Sequence, residues 1–344
     1  MMMSTTAKPQ FSIVLSVNED SIESLKDHLP ALMAQQYEPG FEVIVVNESP
    51  GRDMQDILDV LKGLYPKLYV TFIPQGSHYL SRRKLALTLG VKAAHYDWVV
   101  FTEADCQPAT HRWLETIASY IHEDTDMVCG YTRYTDNTSM FLRYERMRQW
   151  NYQYLKAVRR RPYAYNGCNL AIRRQLFMEH NGFLTNLRYL RGEYDFMVNE
   201  YAEPDRTAAF NDYDGIVIQD APTSKNWQMS HIYYQETRRH LHRSWGYQVK
   251  PFFDTLMLHL TYGLLLIPLV YAIITENWIL TIVSGIALIL LFVYRVLRVR
   301  RVANRYGEHF PLLTIPLMEI RVLWQKLYFI IRYYCTSETE LIRR

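Results

Sequence analysis

Cysteine is scarce in this chain: four among 344 residues, at 106, 129, 168 and 335, with no C-x-x-C pair and no histidine beside them. Neither a disulfide framework nor a zinc site follows from that spacing, and reduced cytosolic thiols are expected. A surplus of charge is missing too. The 38 Lys and Arg stand against 35 Asp and Glu, a net charge of +3, too weak a field to gather nucleic acid. No G-x-G-x-x-G or G-x-x-x-x-G-K-[ST] follows the first apolar run, so the dinucleotide and P-loop readings lack their phosphate loops. Phe11–Val17 meets Asn18-Glu19-Asp20 after only seven apolar-run residues. That is too short for a secretory segment, so the N-terminal part is expected to stay in the cytosol.

What is present is an alternation of short β-rich runs with helical patterns. Strands are predicted at Phe11–Val17, Phe41–Val46, Leu68–Ile73, Trp98–Thr102 and Met127–Gly130, and helices at Ser21–Gln35, Met54–Leu64, Arg82–Ala94 and His111–Ile121. The strands are continuous apolar runs, as a parallel sheet covered on both faces requires. This βαβα order predicts an α/β fold, a doubly wound and mostly parallel sheet with ligands at the carboxyl ends of its strands. Further on, 141–161 reads as an aromatic-rich helix, Tyr165–Ala171 as a turn, Gly192–Phe196 as an acidic loop, and Gln235–His240 as a basic helix.

Charge-free stretches follow. Leu256–Thr275 has 20 residues, about 30 Å of helix at roughly 1.5 Å per residue, enough to cross a hydrocarbon core. Trp278–Tyr294 follows after Glu276-Asn277. Basic residues flank the outer ends: Arg238, Arg239, His240, His242, Arg243 and Lys250 before, and Arg295, Arg298, Arg300, Arg301 and Arg305 after. This pattern predicts a transmembrane hairpin with both ends cytoplasmic. Phe310–Tyr334 is broken by Glu319, Arg321, Lys326 and Arg332, and is expected to be an interfacial or packing helix. The expected division is a cytosolic catalytic domain over 1–250, the hairpin over 251–295, and a basic, interfacial segment over 296–344.

Chemistry gathers at predicted strand ends. Val99-Val100-Phe101-Thr102-Glu103-Ala104-Asp105 closes an apolar strand with two carboxylates, hard ligands suited to hold Mg²⁺ or Mn²⁺ against a substrate diphosphate. Glu48 follows the second strand, where it either accepts from a nucleobase N–H or starts a turn with Asn47 and Ser49. Gln235, Arg238 and Arg239 share one face of the predicted helix, which either clamps a diphosphate or meets anionic lipid. Lys84 reaches toward the nucleotide or lies on a solvated helix face. Cys106 and Cys168 lack an activating base and read as packing residues. The tyrosines at 163–165 are read as core packing rather than as stacking platforms for sugar rings.

In this order the motifs resemble the family 2 glycosyltransferases, from Phe11 to about residue 244. Phe11-Ser-Ile-Val-Leu-Ser-Val-Asn-Glu matches the first strand, Val46-Asn47-Glu48-Ser49 the base-binding acid, and Lys84-Leu-Ala-Leu-Thr-Leu-Gly-Val-Lys-Ala-Ala the segment before the metal motif. Glu103-Ala104-Asp105 stands at the D-x-D, Gly167-Cys168-Asn169-Leu170-Ala171 at the G-x-N-x-A segment, and Gln235-x-x-Arg238-Arg239 at the Q-x-x-R-W. The resemblance is strongest to membrane-tethered bacterial members with a C-terminal hairpin.

It implies the GT-A fold, Mg²⁺ or Mn²⁺ on Asp105 and Glu103, and a nucleotide-sugar donor, with a preference for uridine. Donor contacts fall on Glu48, Lys84, Glu103, Asp105, Gln235, Arg238 and Arg239, and acceptor contacts on Gly167 and Asn169. The catalytic base lies in Gly192-Glu193-Tyr194-Asp195, with Glu193 favoured over Asp195. Arg239 in place of the family's tryptophan implies transfer of single sugars rather than processive synthesis. The implied activity is inverting hexosyl transfer at the inner (plasma) membrane, to a glycan or lipid-linked acceptor, with membrane lipid but no nucleic acid as partner. Two rivals are weighed. A sugar-nucleotide pyrophosphorylase would need a Gly-rich basic first loop, which Ser16-Val17-Asn18-Glu19 is not. An inactive scaffold of the same fold is the other, kept open by Glu standing for Asp at two acidic motifs.

Overall fold

The computed structural model of the chain describes residues 8–49, 51–74, 81–159, 162–242 and 244–336. Arg243 and both chain termini, which the sequence placed at lipid and in the cytoplasm, lie outside the described residues, as does the side chain of Lys250. Two compact units emerge, one of residues 8–138 with 148–242, the other of 139–147 with 244–336. A linear division at residue 250 would instead leave 139–147 in the catalytic part.

The first unit holds strands β1 (Phe11–Val17), β2 (Phe41–Asn47), β3 (Leu68–Phe72), β4 (Trp98–Phe101), β5 (Cys106–Pro108), β6 (Met127–Cys129), β7 (Thr132–Tyr134), β8 (Leu170–Arg173), β9 (Thr207–Ala209) and β10 (Val217–Gln219). Its helices are α1 (Ile22–Met33), α2 (Arg52–Leu64), α3 (Arg82–Ala93), α4 (Trp113–Ser119), the end of α5 (Met140–Val158), α6 (Arg174–Glu179), α7 (Glu193–Tyr201) and α8 (Ser224–Thr237).

Seven strands form one sheet in the order β3-β2-β1-β4-β8-β6-β9. The first four run parallel, with Phe11 opposite both Phe41 and Trp98. Right-handed crossovers that step one way from β1 to β3, then back past β1 to β4, put α1 and α2 on one face and α3 on the other. β8 enters antiparallel between β4 and β6, so the sheet is mixed though mostly parallel. β1, β2 and β4 are buried almost throughout, which is why their sequences run apolar without alternation. A second sheet, β5-β10-β7, lies beyond the end of β4.

Three sequence expectations change. Leu170–Ala171 belongs not to a turn but to β8, wedged between two strands. Gly192–Phe196 is not a loop: Gly192 caps α7 at φ +91°, and Glu193 and Asp195 occupy the first helical turn, where the macrodipole favours carboxylates. The basic helix ends at Thr237, leaving Arg238 as its C-cap and Arg239 in the turn beyond.

The second unit contains α9 (Ser244–Ile274), α10 (Trp278–Arg305) and α11 (Thr314–Cys335), with the start of α5. α9 and α10 pack as a hairpin. Their connector puts Glu276 at φ +53°, and the Asn277 side chain accepts from the Leu280 N–H at 3.1 Å. Leu256–Ile274 and Trp278–Arg305 are long and apolar enough to cross a membrane, each containing an 18-residue stretch of mean hydropathy 2.0 and 2.4 respectively. Most of their large apolar side chains face outward, the opposite of a soluble core helix. α11 packs on both. Arg295, read from the sequence as part of a surface cluster, instead grips buried Glu319 through Nε at 3.1 Å and Nη2 at 2.5 Å. Arg143 holds buried Glu308 in the same way, at 2.9 and 2.5 Å.

Candidate active site

The site is built from the start of α3 outward. Three consecutive cations at a helix N-terminus oppose the macrodipole, so they need partners, and each has a different one. Ser81 caps the helix, accepting from the Lys84 N–H at 3.3 Å while its hydroxyl donates to the Leu190 carbonyl at 3.0 Å. Arg82 donates through Nε to the Glu48 carbonyl at 3.0 Å. Arg83 pairs through Nη2 with the Glu103 carboxylate, and its Nε faces Glu193 Oε1 at 3.7 Å. Lys84 turns inward and donates to the Asn186 and Tyr189 carbonyls at 2.7 and 2.8 Å.

Lys84 is therefore a correction. It is fully buried over the Phe196 ring, and burial brings its pKa down to about 8 against the pull of Glu193, Glu200 and Glu236. Its ammonium fastens the segment leading into α7 rather than meeting a donor. The cation facing the acids is its neighbour Arg83. Burial alone would lower Arg83, but Glu103 and Glu193 more than offset it and hold the guanidinium charged. The sequence carried a signal for it, a run of charge where a helix tolerates it least.

Just past β4, Glu103 and Asp105 separate in role. Glu103 is taken up by Arg83. Asp105 accepts from the Gln219 amide at 3.1 and 3.3 Å and from the Cys106 thiol at 3.5 Å. Burial and the nearby Glu103 charge push its carboxyl up to about 6, opposed by those hydrogen bonds and by Arg83. Glu48 stands past β2, its N–H on the Val17 carbonyl at 2.8 Å, while the Asn47 side chain accepts from Ser49 N–H at 2.8 Å. The turn reading of this segment holds, and the Glu48 side chain remains at the sheet edge, half-buried.

In α7 the two acids part. Residues two apart on a helix point about 200° from each other, unlike the same-side arrangement of an extended loop. Glu193 turns toward Arg83. Asp195 accepts from the Tyr165 N–H, and burial pushes its carboxyl up to about 7. Both are buried. Among the described residues, Glu193 Oε1, Asp195 Oδ1, Arg83 Nε, Thr102 Oγ1, Tyr194 OH and Gln235 Oε1 are buried without a hydrogen-bond partner. Such groups are uncommon in a finished core, and these are open to a partner from outside the chain, solvent or ligand.

The Asn169 side chain is likewise taken up within the fold. Asn169 is buried and satisfied internally: it accepts from Trp113 Nε1 at 3.0 Å and donates to the Tyr131 and Gly215 carbonyls at 3.2 and 2.8 Å. Gly167 lies against Tyr165, whose hydroxyl would sit 2.5 Å from an added Cβ. Tyr163 and Tyr165 pack in the core. Cys106 and Cys168 are buried free thiols with sulfurs 2.7 Å apart, and burial pushes Cys106 well up, consistent with packing.

Gln235 is buried, Arg238 half-buried and Arg239 exposed, so the three do not share one environment. The turn that carries the arginines is pinned to α7: Asn199 accepts from the His242 N–H at 2.6 Å and donates to its carbonyl at 3.0 Å. His240 stacks on Tyr189 at 4.4 Å. Its pKa is lowered by burial and by Arg188 and Arg239.

The residues fit a divalent cation with one change from the sequence expectation. Among the described residues no group of three or more His, Cys, Asp or Glu is placed to hold a metal, so the protein alone offers no cage. Among the described residues Asp105, half-buried, forms no ion pair, although Arg83 lies near enough to act on its charge. That suits a hard ion bound by one protein carboxylate together with substrate phosphates. Glu103 is already engaged by Arg83 through Oε1.

Residues 12–180 match the model of Glycosyl transferase family 2. No curated protein matches the sequence. Among solved structures the chain is similar to the mannosyltransferase PcManGT from Pyrobaculum calidifontis in complex with GDP-Man and Mn²⁺. The likeness has 15% identity and a TM-score of 0.51, over 68% of this chain and 65% of that one. S. aureus TarS 1–349 in complex with UDP-GlcNAc is similar at 13% identity and a TM-score of 0.46, over 67% of this chain and 64% of that one. The chain thus spans just under two thirds of the length of either. The first likeness shows a shared fold, the GT-A fold; the second is too distant to add to it. Strand order, the acids past β4 and the family match agree, and residues 12–180 of this chain belong to glycosyl transferase family 2.

Proposed function

We propose that the chain is a metal-assisted, inverting glycosyltransferase moving single sugars from a nucleotide-diphosphate donor to a glycan or lipid-linked acceptor at a membrane. The observation that carries this is the pairing of Arg83 with acids from two elements, Glu103 just past β4 and the buried Glu193 at the start of α7, with Asp105 two residues beyond Glu103. Asp105 would hold Mg²⁺ or Mn²⁺, which when bound offsets the charge arriving on the leaving diphosphate; the Mn²⁺ of PcManGT supports that choice. Glu193 takes the proton of an acceptor hydroxyl as that oxygen attacks the anomeric carbon and the nucleotide diphosphate departs. One displacement inverts the anomeric centre. Glu48 would meet the nucleobase, and Arg238 would meet phosphate by charge-assisted hydrogen bonds. The uridine preference rests on family resemblance, while PcManGT binds GDP-Man, so both bases belong in the test. The hairpin would keep the unit beside membrane-borne acceptors, with the catalytic unit on the cytoplasmic side.

The test uses the full chain in nanodiscs with pooled UDP-, GDP- and dTDP-hexoses, with and without Mn²⁺, reading melting temperature and released nucleotide. Asp105→Ala should lose the Mn²⁺-dependent part of nucleotide binding together with turnover. Glu193→Gln should bind normally while turnover falls roughly a hundredfold or more. Unchanged Mn²⁺ dependence in the Asp105 variant would remove the metal from that residue. Near-normal turnover in Glu193→Gln beside a dead Asp195→Asn would move the base to Asp195.

A further inference from the structure

We infer that Arg83 is a positioning residue that ties the donor-side acid Glu103 to the acceptor-side acid Glu193, aiming the Glu193 carboxylate without occupying it. The inference rests on the reading of Glu193 as the base. Its ground is an asymmetry in how Arg83 treats its two acids. Toward Glu103 the guanidinium makes a close ion pair through Nη2. Toward Glu193 it presents Nε at 3.7 Å, inside Coulomb reach but beyond a hydrogen bond. Arg83 Nε and Glu193 Oε1 are accordingly both buried without a hydrogen-bond partner.

A buried ion pair that served only stability would close that gap, since leaving both groups unsatisfied costs free energy. A carboxylate meant to receive a proton needs the reverse. It must be oriented by a field, with a lone pair left open for the incoming hydroxyl. Arg83 supplies the field because it is itself fixed from the other side by Glu103, and because the planar guanidinium offers two nitrogens in a rigid fork. A lysine ammonium at the same site would be a compact charge on a flexible stem, without the rigid fork that faces both acids at once. Arg83 is also rooted one residue before Lys84, whose ammonium fastens the 186–189 segment that leads into α7. The same helix start thus sets both the guanidinium and the position of the acid it faces.

The full chain in nanodiscs tests this with Arg83→Lys, Arg83→Gln, Glu103→Gln and Glu193→Gln. The readouts are melting temperature, affinity for UDP and GDP with Mn²⁺, and nucleotide release from the pooled hexose donors. Arg83→Lys keeps the charge and is expected to fold. Its nucleotide affinity should stay within about twofold of wild type while turnover drops roughly tenfold or more. Glu103→Gln, which frees the anchored end of the fork, should lower turnover in the same direction. Combining Arg83→Lys with Glu103→Gln should be no worse than the poorer single variant, because the two act as a unit. Wild-type turnover in Arg83→Lys would overturn the inference, as would equal losses of nucleotide affinity and turnover, the mark of a donor ligand. If Glu193→Gln is inactive while the Arg83 variants turn over normally, only this inference fails. If Glu193→Gln turns over normally, the base assignment fails and takes the inference with it.

Discussion

Asp195 shows at the level of one residue how burial redirects an expectation. Its carboxyl stands at about 7 because it is buried, while an exposed aspartate has a value near 3.8. The native state therefore holds the proton more tightly than the unfolded chain. Its contribution to stability is greatest at low pH and declines as pH rises from about 4 to about 7. Above that window the charged form costs on the order of a few kcal/mol. Asp195→Asn removes the titration and can still accept from the Tyr165 N–H. It should melt above wild type at pH 8, and the advantage should shrink toward pH 5. A difference that stays constant with pH would show that Asp195 does not titrate there. The residues that sequence reasoning misplaced share one cause: Lys84 and Asn169 are polar, stand in motifs and look like ligand groups. Their partners lie far along the chain, at Asn186 and Tyr189 for the first and at Trp113, Tyr131 and Gly215 for the second. Only the fold reveals that their hydrogen bonds are already made.

Among the elements, β1 to β4 were legible because a strand covered on both faces must be apolar along its whole length. The strands β5, β7, β8, β9 and β10 are three or four residues each, shorter than any periodicity can register. They are defined by distant partners rather than by their own pattern. α7 was missed for another reason. A glycine followed by acids reads as a loop, yet glycine also serves as an N-cap, and acids in a first turn are a helix-start signal. The consequence reaches the chemistry, since the helix turns Glu193 and Asp195 apart and gives them different neighbours. Gly192 is the point on which this depends. At φ +91° it occupies backbone that side chains avoid, and an added Cβ would lie 2.4 Å from Thr237 Cγ2. Gly192→Ala should lower stability by about 1–3 kcal/mol in denaturant titration, with a larger loss of turnover than of nucleotide affinity as Glu193 is displaced. An alanine variant with wild-type stability and turnover would show that α7 does not need this cap.

For the whole molecule, the family match covers residues 12–180, and the C-terminal unit has to be understood from its own composition. Its two apolar helices were legible because length and absence of charge suffice. The recruitment of residues 139–147 to that unit was not, because it depends on side chains such as Arg143 meeting Glu308. The proposed topology puts the connector alone on the far side. Glu276→Cys, in a Cys335→Ser background, should react with a membrane-impermeant maleimide added to intact cells. Reaction only after lysis would place the connector on the cytoplasmic side and end the two-span reading.

If the hairpin crosses a bilayer as proposed, the shortness of its connector decides how it gets there. With Ile274 ending one helix and Trp278 starting the next, no tether is long enough for α9 to settle across a membrane while α10 waits outside it. The two must partition together, as one closed hairpin, so their apolar transfer free energies are pooled. A polar substitution in α9 is then opposed by the whole of α10 as well as by the rest of α9. Lengthening the connector would separate the two events and expose each helix to its own marginal cost.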